Sequence, residues 1–222
     1  MANQDQLITE DEAELYDRQI RLWGLDARKE KSLQTEPQGL RVTKMLLVGL
    51  GGLGAEVCKN IVLAGIKSIT LMDDQNVTEA DFFSQFLITR EDVGKNRATA
   101  SVARVQELNP NVIVTSDETS VTDKEEAFFK QFDIVCLTYC KPETIVKVNT
   151  FCHENNIQFF GGDIFGFYGY SFSDLNEHNF VEEKPKKIKG SSGEGPSKKQ
   201  KVDAQKQYLL NGRCTSQDSR RL

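Results

Sequence analysis

A chain of 222 residues, 38% hydrophobic and 27% charged, carries apolar material for one sizeable core and is short for two full domains. Its formal net charge of -5 leaves the body of the chain without a basic face, which excludes nucleic acid as a partner of the folded part. No apolar run approaches the roughly 18 residues of a membrane span, so no membrane is expected either.

The first residues, MANQDQLITEDEAE, have neither a basic start nor an apolar stretch, so no secretory signal or transit peptide is visible and a nuclear or cytoplasmic setting is expected. Thr9 and Glu12 have capping-box spacing, which predicts a helix through EDEAELYDRQIRLWG, with Leu15, Leu22 and Trp23 available for burial and Gly24 to stop it. Arg18 and Arg21 fall on one face of that helix as two neighbouring fixed cations. Glu14 and Asp17 are near enough to offset them, so spacing alone leaves a solvated face and a functional pair equally open.

Residues 29–39, KEKSLQTEPQG, are polar and read as a flexible insertion. The apolar run KMLLVG then has the character of a central parallel strand buried on both faces. Strands and helices alternate from there. SITLMD reads as strand, ATASVARVQELNP as a helix stopped by Asn109-Pro110, NVIVTS as strand, DKEEAFFKQ as helix, DIVCLT as strand, PETIVKVNTFCHEN as helix and IQFFGG as strand. GFYGYSFSDL, with alternating glycines and aromatics, predicts an added antiparallel strand. The fold class is therefore α/β: a doubly wound, Rossmann-like sheet, mixed but mainly parallel, with helices on both faces.

Gly49, Gly51 and Gly54 match G-x-G-x-x-G directly after a strand and before a helix, and Asp73 follows about 20 residues on, at the end of the second strand. Glycines in this pattern let a phosphate approach the backbone at a helix N-terminus, and the acid accepts from a ribose hydroxyl. On that fingerprint alone an NAD-dependent oxidoreductase is one reading, although the pattern specifies a fold more than a reaction.

The five cysteines, Cys58, Cys136, Cys140, Cys152 and Cys214, form no CxxC pair and are read as reduced thiols; no zinc set is completed, and no metal is expected. His153, in a predicted helix, and His178, in an acidic loop, are read as satisfied or exposed. Beyond residue 183 Gly, Ser and Pro replace apolar periodicity, and residues 184–222 are read as linker and tail. The clusters Lys184 to Lys189 and Lys198 to Lys201 are either solvated chain or a split nuclear import signal.

GLGGLGAE, with its extra Gly52, and FSQFLITREDVGKNRA resemble the adenylating domains of ubiquitin-like activating enzymes and their bacterial ThiF and MoeB relatives, which use ATP and not NAD. Within that family LYDRQIRLWGLDA, VCLTYC, GGDIFGFYGYSFSDL and EHNFVEEK resemble the smaller subunits of the heterodimeric enzymes that activate SUMO, and the likeness covers most of residues 11–183. It implies an N-terminal helix over 1–28, the insertion at 29–39, an adenylation-type domain over 40–183 and an atypical end.

Active members carry Asn-x-Asn-Arg-Gln-Phe after the second strand, where this chain has Asp81-Phe82-Phe83-Ser84-Gln85-Phe86. The resemblance thus places Ser84 at the position of an arginine that meets the triphosphate, Arg97 at that of a phosphate-contacting lysine and Cys140 at that of a magnesium-holding aspartate. A thiol does not replace a hard carboxylate ligand. Gly49, Gly51, Gly52, Gly54 and Asp73 are accordingly expected as retained fold elements without a working nucleotide.

The resemblance further implies no cofactor in this chain, with ATP and Mg2+ held by a large catalytic partner subunit that also carries the catalytic cysteine, and SUMO as the protein activated. Arg21 is then expected to act in trans on the partner's ATP, with Arg18 supporting it. The chain departs from the family at residues 29–39, which loosen the connection to that helix, and at QKQYLLNGRCTSQDSRRL. These departures open a second reading, a shortened form that docks on the large subunit as a regulatory binder, and predict weak stability or aggregation without a partner.

Overall fold

The computed structural model describes residues 40–178 and two short strands beyond them, Phe180–Val181 and Leu209–Leu210. The predicted helix bearing Arg18 and Arg21, the 29–39 insertion, both lysine clusters and Cys214 lie outside the described residues. The described residues up to Asp174 form one unit, and the chain from Leu175 forms another, in which Phe180 pairs with Leu210 and Val181 with Leu209 in an antiparallel ladder.

The elements of the first unit follow in chain order as β1 (Lys44–Val48), α1 (Gly52–Ala64), β2 (Ser68–Met72), α2 (Arg97–Leu108) and β3 (Ile113–Asp117). Then come α3 (Glu126–Phe129), β4 (Ile134–Thr138), α4 (Pro142–Glu154), β5 (Gln158–Phe165) and β6 (Tyr168–Asp174). They build a six-stranded sheet in the order β3-β2-β1-β4-β5-β6. Five strands run parallel, and β6 returns antiparallel to β5.

Register explains why β1 reads as an unbroken apolar run. Met45 stands between Ile69 and Ile134, and Leu47 between Leu71 and Cys136; this face packs on Ala55, Cys58 and Val62 of α1 and on Ala98 and Val105 of α2. Leu46 and Val48, beside Val135 and Leu137, face the other way onto Phe129 next to Val148, Phe151 and Cys152 of α4. Alternate side chains enter opposite layers, so every position of a doubly covered strand must be apolar.

The stops follow from local chemistry. Gly65, with φ 82°, ends α1 in the left-handed conformation that glycine adopts without a Cβ clash. Asn109, buried where α2 stops, donates its side-chain amide to the Val62 carbonyl of α1 at 2.9 Å, a second donor beside the Gly65 N–H at 3.0 Å. The DKEEAFFKQ helix is shorter than its sequence predicts, a single turn. The chain has already joined the sheet at Asp133, whose N–H donates to the Lys44 carbonyl at 2.9 Å while its carboxylate accepts from the Lys44 N–H at 2.7 Å. β5 runs on past IQFFGG to Phe165, because Gly166, with φ 63°, turns the chain back into β6. Among the described residues no helix is long and apolar enough to cross a membrane.

Candidate functional site

In an open parallel sheet the carboxyl ends of the strands and the helix N-termini above them form the crevice where ligands are received. Here that crevice is a cleft of about 630 Å³ lined by Gly49, Gly51 and Gly52, by Asp73, Asp81, Ser84 and Arg97, and by Tyr139, Cys140 and Lys141. The turn from β1 into α1 supplies its floor. Gly49 takes φ 87° and donates its N–H to the Met72 carbonyl at 2.8 Å; a side chain there would run into the backbone of Thr138. Gly51 is the N-cap of α1, Gly52 its first residue and Gly54 a buried position in its first turn.

Asp73 stands directly after β2 and is 6% exposed. One carboxylate oxygen accepts from the Leu50 N–H at 2.7 Å and the other from the Gln75 N–H at 2.8 Å, and the Arg97 guanidinium approaches to 4.0 Å. Burial raises its pKa; the two N–H donors and Arg97 oppose that shift. The carboxylate therefore braces the glycine turn from below, through the backbone of Leu50.

The stretch from Asp81 to Phe86 turns its polar groups inward. Asp81, 5% exposed, accepts from the Thr78 N–H at 2.7 Å in a capping box and holds Arg97 in a fork, with Nε and Nη2 each 3.2 Å from Oδ2 and Nη2 3.0 Å from Oδ1. Ser84 Oγ donates back to the Asp81 carbonyl at 3.2 Å. Phe83 is 94% exposed, while both side-chain polar atoms of Gln85 are buried without a partner. Arg97 is the first residue of α2, whose N-cap is Asn96: the Asn96 side-chain oxygen accepts from the N–H groups of Ala98 and Thr99, and its amide donates to the Asp73 carbonyl at 2.6 Å.

On the opposite wall, Thr138 Oγ1 lies 3.0 Å from the Val48 carbonyl and 2.8 Å from the Gly49 carbonyl, pinning the end of β4 to the glycine turn. Tyr139 follows with φ 56°, a left-handed conformation that costs a non-glycine residue about 1–3 kcal/mol. The Cys140 thiol donates to the Thr138 carbonyl at 3.4 Å. Burial, and then the nearby charges of Asp163, Asp73 and Asp74, push that thiol up to about 11, so it is neutral at pH 7.

Cys58, Cys136 and Cys152 are packed in the two cores, where burial pushes each thiol up to about 12. His153 pairs through Nδ1 with Asp174 at 2.9 Å, and His178 is exposed. Among the described residues no group of three or more His, Cys, Asp or Glu is placed to hold a metal ion.

The structure thus brings together the glycine turn, Asp73, Ser84, Arg97 and Cys140 around one cleft. Arg18 and Arg21 lie outside the described residues. Sequence reasoning missed Asp81, Asn96, Thr138 and Tyr139. Thr78-x-x-Asp81 is a capping-box spacing and Asn96 precedes a helix, so both carried a readable signal. Thr138 and Tyr139 carried none, because their roles depend on how two strands meet.

The ThiF family profile matches residues 16–192. The chain is 52% identical over 206 residues to SUMO-activating enzyme subunit 1 of Homo sapiens, covering 91% of this chain and 57% of that protein. It is 47% identical over 213 residues to SUMO-activating enzyme subunit 1 of Xenopus tropicalis, covering 93% and 59%. With the protein of the same name from Danio rerio it shares 50% identity over 204 residues, covering 90% and 56%. The chain therefore spans little more than half the length of these curated relatives.

Proposed function

Because this chain belongs to the ThiF family, we propose that it is the non-catalytic, supporting subunit of a heterodimeric SUMO-activating enzyme, its relatives being named as subunit 1 of such an enzyme. The observation that carries this reading is the charge state of its own cleft. Adenylation sets an attacking carboxylate against an α-phosphate, so fixed cations and a metal must stand where negative charge gathers. Around this cleft Ser84 is uncharged, the Cys140 thiol is neutral and Arg97 is committed to Asp81. A neutral thiol flanked by carboxylates does not fit Mg2+, and no step of the reaction is assigned to this site.

ATP, Mg2+ and the catalytic cysteine belong, on this reading, to the large subunit. The present chain contributes the arginine pair: Arg21 reaches the partner's ATP phosphates and Arg18 supports it, as an arginine supplied in trans does elsewhere. The two lysine clusters near the C-terminus fit residence in the nucleus as well as the cytoplasm.

The test is reconstitution. The chain, the large subunit, SUMO, ATP and Mg2+ are expected to yield the SUMO thioester together, and neither subunit to yield it alone. Arg21→Ala is expected to leave the complex intact while slowing adenylate formation by about 10³-fold, the lower end of what an in-trans arginine supplies. Acyl-adenylate formed by this chain alone, or failure to bind the large subunit, overturns the proposal; binding without thioester assigns the chain to docking only.

A further inference from the structure

The left-handed backbone of Tyr139 throws its ring across the glycine turn. A Cβ added at Gly51 would lie 2.6 Å from Cε2, 3.1 Å from Cζ and 3.2 Å from Cδ2 of that ring. In a G-x-G-x-x-G turn the second glycine is bare so that a pyrophosphate can close on the backbone at the helix N-terminus. Gly51 is that second glycine and the N-cap of α1, with no side-chain hydrogen bond capping the helix. The space its missing side chain leaves open is filled from the opposite wall by an aromatic ring.

The size of the cleft does not by itself turn a nucleotide away. Its volume of about 630 Å³ suits a small ligand, and Lys141 stands on its wall beside an Arg97 already held by Asp81. We propose that Tyr139 adds a steric bar to this cleft: its ring occupies the phosphate space over Gly51 and excludes diphosphate-bearing ligands from the α1 N-terminus. The blocking atoms are ring carbons, so the hydroxyl is not required. This goes beyond the supporting-subunit reading, resting on it only in taking the cleft to be out of use.

The test is a fluorescence titration of the full 222-residue chain with methylanthraniloyl-ADP, comparing the native protein with Tyr139→Gly, Tyr139→Asn and Tyr139→Phe. Glycine and asparagine are the residues best suited to φ 56°, so both variants relieve backbone strain while removing the ring, and a melting curve checks that each is folded. Tyr139→Gly and Tyr139→Asn are expected to bind roughly tenfold more tightly or better than the native chain. Tyr139→Phe is expected to match the native chain, and inorganic pyrophosphate to displace the probe from the open variants.

Equal affinities in the native and glycine proteins, whether weak or tight, overturn the proposal. So does a gain in Tyr139→Phe, or displacement by adenosine but not by pyrophosphate. Loss of SUMO thioester formation in the reconstituted enzyme bears on the supporting-subunit reading and leaves this one untouched, and an equally weak titration does the reverse.

Discussion

The pair formed by Asp81 and Arg97 shows how a cation facing the cleft is turned to structural use. The guanidinium lies 3.0 Å from one oxygen of a 5% exposed carboxylate and 3.2 Å from the other, and the same carboxylate caps the turn that starts at Thr78. Removing Asp81 leaves the Arg97 guanidinium with the more distant Asp73 carboxylate, at 4.0 Å, and undoes the capping box at Thr78. Asp81→Ala is expected to lower unfolding free energy by about 3 kcal/mol, and the joint change with Arg97→Met to lower it by less, measured by urea denaturation. The glycines and Asp73 were legible in the sequence because their spacing is itself the physical requirement. That Asp73 serves the Leu50 backbone was not legible, since a carboxylate at a strand end reads alike whether it faces a ribose or its own loop. Nor was the ring of Tyr139 over Gly51, which depends on the backbone and side-chain torsions of that residue.

At the scale of elements, legibility followed burial. The four inner parallel strands were readable because both faces of such a strand must be apolar, α2 because Asn109-Pro110 stops it and α4 because a proline opens it. The segment over α3 misled because its acidic residues and phenylalanines fit helical periodicity, while Val121–Asp123 forms a turn of its own and the chain has joined the sheet by Asp133. Small turns in this fold lean on side-chain caps more than on propensity. In the turn Arg90–Asp92, the Asp92 carboxylate accepts from the Thr89 N–H at 2.8 Å and from its hydroxyl at 2.7 Å. The Lys95 ammonium first, and then those two Thr89 donors, hold Asp92 down from the ordinary 3.8 to about 2. A carboxylate whose pKa is depressed on folding stabilises the protein above its unfolded pKa, and that contribution fades as pH falls through the folded value. Asp92→Ala is therefore expected to destabilise by about 1 kcal/mol at pH 7, with the gap to the native protein narrowing between pH 4 and pH 2 in urea titrations.

For the molecule as a whole, the described sheet ends at one edge in β6. β6 is exposed almost throughout, and the hairpin it makes with β5 displays Phe165, Phe167 and Tyr168, with Phe167 fully in solvent. A long aromatic edge is a template for further pairing and is tolerated when something lies against it. The isolated chain is expected to self-associate with rising concentration in sedimentation velocity runs, and Phe167→Lys to hold it monomeric at concentrations where the native chain does not. A native chain that stays monomeric throughout would show that this edge is tolerated as it stands. The antiparallel return itself was readable from the alternating glycines and aromatics, but its exposure was not, because the same alternation serves a strand with one covered face.

The amide of Asn109 joins two helices that the chain order keeps apart, since it completes the end of α1 from the end of α2. Fraying of α2 therefore takes one of two donors from the Val62 carbonyl, the other being the Gly65 N–H at 3.0 Å, and loosens the end of α1 with it. The glycine turn rides on the first of these helices, so the steadiness of the cleft floor is underwritten some distance away, by a residue that never approaches it.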